Sequence, residues 1–349
     1  MALQDIYKKA SLVMKPAAMK EGKLYSQQPH SGDGDFTFSR ANGTQTRINK
    51  HGLIEAVADN TPRLSYELDS NGNVSECPHL LLEPSRTNLL SYSSDFSNWS
   101  DSGVTVTSND TLAPDGTQSA DKLVSSANNW RKSKSFTAVN ETTYTASIFV
   151  KLDTNTTTDT VQLEIFKGSS GLVCDFNLFN KTITQNTGLT DVFIEEYPND
   201  WYRIGGTYTA NGTTNIIYVY PSTGYSVNGT AYFWGAQAEA GSYATSYIPT
   251  EGSAAQRTED TAKIDNFSNA PTDYPFTIFC DFDLVKTGQK SFMFSFLWLA
   301  SSSNYFTVGY NVDGAGNFFK FENRAQGSSE GVKTTSTYTE GRYKLAIKF

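Results

Sequence analysis

The chain has 349 residues, a formal net charge of −8, and only 18% charged and 38% hydrophobic residues. That length exceeds one ordinary domain, and an acidic chain without basic stripes excludes nucleic-acid binding through phosphates. The balance is made up by Thr, Ser, Asn and Gly, which suit strands joined by turns rather than long helices, so the composition predicts an all-β protein.

A short helix is expected over residues 5–10, where Ile6 and Ala10 lie four apart, and Pro16 ends it. Strand character begins near Lys23. Phe36 and Phe38 alternate with Thr37 and Ser39, the pattern of a half-buried strand. Asn42-Gly43 predicts a hairpin from there into residues 44–48. Residues 52–57 form a further short strand, and residues 80–82 a buried one. Residues 1–85 thus read as a small, loop-rich β region with too little core to fold alone. It is expected to pack on its neighbours, on partner chains or on a particle.

A denser series follows. Residues 104–107, 143–151, 161–166, 173–178, 192–197, 202–210, 216–220 and 231–238 all read as strands separated by Gly, Asn and Asp turns. This spacing predicts a jelly-roll β-sandwich over 86–252. Tyr144, Ala146, Ile148 and Val150 form one alternating face; Tyr202, Ile204, Gly206 and Tyr208 form another. Residues 253–272 are polar and read as a linker. Residues 273–349 hold five more strand-like runs, too few for a full sandwich, so a partial second β-sandwich is expected and the natural polypeptide is expected to continue.

Cys77, Cys174 and Cys280 are far apart and odd in number, so neither a zinc site nor a disulfide framework is implied; three half-buried free thiols are expected. The N-terminus lacks a signal-like apolar stretch and no apolar run is long enough to span a bilayer. The expectation is therefore folding in a cytoplasm, without membrane insertion.

Three sequence blocks carry a resemblance. They are GDGDFTFSRANGTQTRINKHGLIE (32–55), LLLEPSRTNLLSYSSDFSNW (80–99), and the pair NDWYRIGGTYTA (199–210) with AYFWGAQAEAGSYATSYIPTEGSAAQRTED (231–260). Together they resemble a module of bacteriophage virion appendages, the tail fibres, tail tips and head fibres. Its sandwich looks like a carbohydrate-binding module. YPFTIFCDFDL resembles the opening strand of a concanavalin-like, laminin-G-like lectin domain. The resemblance implies a virion protein assembled in the host cytoplasm. Residues 1–85 would attach it to capsid or tail proteins and to sister chains, as a homotrimer or similar ring. The sandwich domains would bind host-surface polysaccharide.

Sugar sites on β-sandwiches use exposed rings, which stack on sugar C–H faces, with amides and carboxylates bonding the hydroxyls. Trp130, in a polar run between strands, is the leading candidate; Tyr218, Tyr220 and Tyr225 are candidates for one face or its rim. Each ring competes with a reading as core or interface filler. Trp201 and Trp234 read as core. Modules of this kind often hold a structural calcium, for which Asp95 and Glu239 are the candidate ligands; a hard cation needs more oxygens than these two supply. Nothing recommends catalysis. His30, His51 and His79 are remote from any nucleophile motif, and Glu195 and Glu196, adjacent on one strand, point to opposite faces. Glu83 and Arg86 are expected to pair across Pro84. Two alternatives stay open: a purely structural spacer in the virion, and the non-catalytic part of a larger polysaccharide depolymerase.

Overall fold

The computed structural model describes residues 10–20, 23–41, 44–125, 131–154, 156, 158–223 and 228–264. Beyond these it describes the segments 277–284, 291–297, 305–310, 319–325, 328–333 and 341–348. The chain divides into two units, Met1–Asn269 and Ala270–Phe349. As the composition predicts, the described structure is almost wholly β. The helix expected over 5–10 falls outside the described residues, apart from Ala10, which is not helical.

In the first unit the strands are β1 (Val13–Lys20), β2 (Lys23–Gln28), β3 (Thr37–Ser39), β4 (Thr46–Ile48), β5 (Ile54–Ala56), β6 (Arg63–Ser65), β7 (His79–Leu81) and β8 (Arg86–Asn88). Then come β9 (Ser100–Ser102), β10 (Val104–Leu112), β11 (Gln118–Ser125), β12 (Arg131–Thr137), β13 (Thr143–Leu152), β14 (Thr160–Phe166), β15 (Gly171–Asn177) and β16 (Thr182–Asn186). The unit closes with β17 (Thr190–Tyr197), β18 (Trp201–Thr209), β19 (Thr214–Tyr220), β20 (Thr230–Ala240), β21 (Ala255–Arg257) and β22 (Thr261–Lys263). The second unit holds β23 (Thr277–Leu284), β24 (Ser291–Leu297), β25 (Tyr305–Tyr310), β26 (Phe319–Ala325), β27 (Ser328–Lys333) and β28 (Gly341–Lys348). There β23 pairs with β28, and β24 to β27 form a four-stranded antiparallel meander.

The centre of the first unit is two six-stranded sheets, β10-β11-β20-β13-β18-β17 and β16-β15-β14-β19-β12-β9. When β11 to β15 and β18 to β20 are counted as one to eight, the sheets read 1-8-3-6 and 5-4-7-2. That is the jelly-roll order, with β9, β10, β16 and β17 extending the edges. The inner faces meet on Ile148, Val150, Leu163, Ile165, Phe176, Ile204, Ile217, Val219 and Phe233, each at most 2% exposed. The two alternating faces expected on β13 and β18 are both in this core.

β13 is buried on its other face as well. Phe149, Trp201, Trp234, Tyr197 and Tyr247 form a second apolar cluster with Ile54, and Ile48 and Leu68 pack against it. Phe149 stands edge-on to Trp234 at 5.5 Å and to Tyr197 at 5.0 Å, and Trp234 and Tyr247 are 4.5 Å apart. Each such aromatic pair adds about 0.5–1.5 kcal/mol beyond area burial. The small β pairs of the N-terminal region therefore gain their missing core from the outer face of the first sheet.

Three local expectations are corrected. β3 does not form a hairpin with β4; it pairs with β22, and β4 pairs with β5. β7 is half-exposed rather than buried, and Leu82 beyond it is 50% exposed. The polar stretch read as a linker from residue 253 contains β21, which pairs with β8, and β22. The reason is a buried charge network invisible to a hydrophobicity pattern. Arg40 Nη1 lies 2.7 Å from Asp260 Oδ1, and Arg63 bonds the other oxygen of Asp260. Glu83 bridges Arg63 at 2.7 Å and Arg257 at 3.1 Å, and accepts from Ser246 N and Oγ. Glu83 thus pairs with these two arginines and not with Arg86, which faces Glu239 at 3.7 Å.

Candidate functional site

Alternation along β12, β14, β15 and β19 sends one set of side chains into the core and the other onto the outer face of the second sheet. On that face β19 carries Tyr218 and Tyr220, two of the four rings singled out from the sequence. Gln162 and Glu164 on β14 stand opposite Tyr220 and Tyr218. Asp175 and Val173 on β15 stand opposite Gln162 and Glu164. From β12, Ser133 faces Tyr218, and Arg131 reaches across to both rings.

The polar groups form one connected set. The Arg131 guanidinium lies over the Tyr218 ring, 3.9 Å from its centroid, within cation–π range. Its Nη1 donates to Tyr220 Oη at 3.1 Å and stands 3.6 Å from Glu164 Oε2, and Tyr220 Oη donates to that same carboxylate oxygen. Gln162 Nε2 donates to Asp175 Oδ1 at 2.6 Å. Tyr220 and Asp175 are buried, while Tyr218, Gln162, Glu164, Val173 and Arg131 are half-buried. Burial and the Glu164 carboxylate push the Tyr220 phenol well above its ordinary range, so it stays a donor. Burial also raises the Asp175 carboxyl, against the opposing bond from Gln162. The floor is thus rigid and hydrogen-bonded, under a partly accessible ring, an amide and a carboxylate.

The other two predicted rings, Trp130 and Tyr225, lie outside the described residues. Trp201 and Trp234 are core, at 1% and 3% exposure. The two calcium candidates, Asp95 and Glu239, both carry hydrogen bonds from the protein. Asp95 caps the 3-10 turn Phe96–Asn98 and accepts from Ser97 N, Ser97 Oγ and Asn98 Nδ2. Burial works against its ionisation, but these donors prevail and hold its carboxyl below the ordinary value. Glu239 is fully buried and accepts from Gln237 Nε2, Thr245 N and Thr245 Oγ1, with Arg86 beside it. Both carboxylates already serve protein donors, which a hard cation would have to share or displace. Among the described residues no group of three or more His, Cys, Asp or Glu could hold a metal ion.

Sequence reasoning missed Arg131, Gln162, Glu164 and Asp175. Arg131 opens β12, a strand without an apolar alternation, because Lys132 occupies a buried position there with Nζ 3.4 Å from Trp99 O. Gln162 and Glu164 sit in a run already recognised as strand. Their signal was the polar phase of the alternation, which names a face but not its neighbours.

No family model matches the chain, and no curated protein sequence matches it. Solved structures similar to it include the following two. One is the CBM22-1–GH10 modules of the Clostridium thermocellum endo-1,4-β-D-xylanase 10B complexed with xylohexaose, at 13% identity and a TM-score of 0.29. That similarity covers 48% of this chain and 30% of the xylanase chain, so less than a third of the latter's length is matched. The other comes from carbohydrate-binding modules of the β-sandwich superfamily, at 12% identity and a TM-score of 0.29, covering 62% of this chain and 90% of that one.

Proposed function

We propose that the jelly roll binds glycans, without catalysing their cleavage, through the outer face of its second sheet. One observation carries this reading. The half-buried Tyr218 ring, with Arg131 against one face, sits beside Glu164 and Gln162 over a floor in which Tyr220 and Asp175 are already hydrogen-bonded. Rings offer a stacking surface to sugar C–H groups, and fixed amides and carboxylates bond hydroxyls with little ordering cost. Affinity electrophoresis of the full chain through gels containing purified polysaccharides tests it: retardation by at least one polysaccharide is expected, and none by any would sink it.

The wider setting follows from the resemblance of residues 32–55, 80–99, 199–210 and 231–260 to virion appendages. In this reading the chain is a fibre or decoration protein of a virion, with other virion proteins and sister chains as partners. Phe179 and Ile183, on the turn and strand following β15, favour sister-chain contact, being exposed 75% and 42%. A homotrimer gathers several weak glycan sites into one avid particle. Sedimentation equilibrium of the full chain is expected to give a trimer that weakens in the Phe179→Ser variant; a monomer at micromolar concentration would count against it.

A further inference from the structure

The face described above is longer than the cluster at its centre. The strand register aligns its side chains into two adjacent rows that run across the sheet, perpendicular to the strands. In the first row Ser102 stands opposite Arg131, Tyr220 opposite Gln162, Gln162 opposite Asp175, and Asp175 opposite Gln185. Arg131 and Tyr220 are joined by their hydrogen bond. In the second row Ser100 stands opposite Ser133, Ser133 opposite Tyr218, Tyr218 opposite Glu164, and Glu164 opposite Val173. The first row takes one residue from each of the six strands, β9 to β16.

Neighbouring strands lie about 4.8 Å apart, so five intervals make a stripe about 24 Å long. That is several pyranose rings, far more than one terminal sugar occupies. The stripe does not end in a wall of the sheet: Ser100 at one edge and Gln185 at the other are both exposed. Its exposed and half-exposed members are hydroxyls, amides, one carboxylate, one ring, the Arg131 guanidinium and the Val173 side chain, with Tyr220 and Asp175 as a buried floor beneath.

Charge narrows the ligand further. The two rows hold one cation, Arg131, against two carboxylates, Glu164 and Asp175. Arg131 already faces Glu164 at 3.6 Å and bonds Tyr220. A chain of uronate, sialate or sulfated sugars would meet at least as much negative as positive charge, and the cation it needs is engaged.

Resting on the glycan-binding reading, we infer that the ligand is an internal stretch of a linear, uncharged polysaccharide, several residues long, laid across the strands from β9 to β16. Tyr218 lies near the middle of the stripe, and the exposed hydroxyl and amide at its two ends reach residues that a short oligosaccharide does not.

The test uses the full chain. A panel of purified neutral and acidic polysaccharides is screened first, and oligosaccharides of one to six residues from the best-bound polymer are then titrated by calorimetry. The expected result is binding to a neutral polymer, with affinity rising at least tenfold between disaccharide and hexasaccharide. Gln185→Ala, at the exposed end of the stripe, is expected to weaken the hexasaccharide about fivefold, the value of one lost hydrogen bond, and to leave the disaccharide unchanged. Equal affinity for mono- and hexasaccharide, or a Gln185→Ala variant that binds the hexasaccharide as the parent does, overturns the extended site and leaves glycan binding standing. Selective binding of acidic polymers overturns the uncharged assignment. Failure to bind any polymer overturns the glycan reading itself.

Discussion

Arg63 and Asp260 lie 197 residues apart in the chain and form an ion pair with both side chains fully buried. Asp260 also takes Arg40, and Glu83 takes Arg63 and Arg257, so the N-terminal region and the segment after β20 are tied at one buried node. Removing one member leaves uncompensated buried charge, which costs more than the pair contributes. Asp260→Ala strands Arg40 and leaves Arg63 with Glu83 alone. It is expected to destabilise the first unit by about 3–5 kcal/mol, seen as a lower urea midpoint. Asp260→Asn, which keeps an acceptor oxygen, should lose less.

The same node predicts acid sensitivity. Burial alone would raise the Glu83 carboxyl, but Arg257, Arg63 and the Ser246 donors outweigh it and hold it below the ordinary value of 4.5. A carboxyl depressed in the folded state contributes stability that is fully present above its unfolded value and is lost as pH falls through the folded one. Melting temperature should therefore hold from pH 7 to about 5 and drop below pH 4.5. Glu83→Gln should melt lower at pH 7 and show a flatter acid limb; an unchanged limb would remove Glu83 from the account.

Tyr218→Ala removes the accessible ring and the platform under Arg131 while leaving the buried floor in place. Affinity for the bound polysaccharide is expected to fall at least tenfold, roughly 1.4 kcal/mol, with a smaller loss of stability from the lost core packing and Arg131 contact. Equal loss of affinity and stability would assign Tyr218 to packing instead.

Gly235 interrupts β20 at φ +62, where the register against β13 shifts between Ser147 and Phe149. A Cβ there would meet Phe149 Cδ2 at 2.9 Å. Gly235→Ala combines left-handed backbone strain with a clash in the second apolar cluster, and is expected to cost about 1–3 kcal/mol. Chemical denaturation measures it.

The thiols should differ sharply, although the sequence suggested three alike. Cys77 is exposed, while Cys174 is buried and burial pushes its thiol up to about 12. Cys77 should react with a disulfide reagent within the mixing time and Cys174 only on unfolding. Mass mapping of the labelled peptides separates the two.

The strands that sequence reasoning located are those whose inward residues are apolar. β13, β14, β18, β19 and β20 each present such a set to the core. The missed ones fail that criterion. β12 spends buried positions on Lys132, whose stem lines the core while its amine reaches Trp99 O. β16 is exposed along its whole length and holds its place through pairing with β15. The candidate site was half legible for the same reason: aromatic residues on β19 announce themselves, but their partners on β12, β14 and β15 are ordinary polar residues until the register sets them side by side.

By itself, the sequence determined the all-β fold class and most strands of the sandwich, because period-two burial and turn chemistry act over neighbouring residues; the order in which the strands wind came from long-range pairing. Tertiary structure alone decided that the polar stretch after residue 253 is a partner of β3 and β8, and that Arg40, Arg63 and Arg257 lie in the interior. Those outcomes depend on carboxylates far away in the chain, and a buried charge is tolerable only where its counter-charge arrives with it.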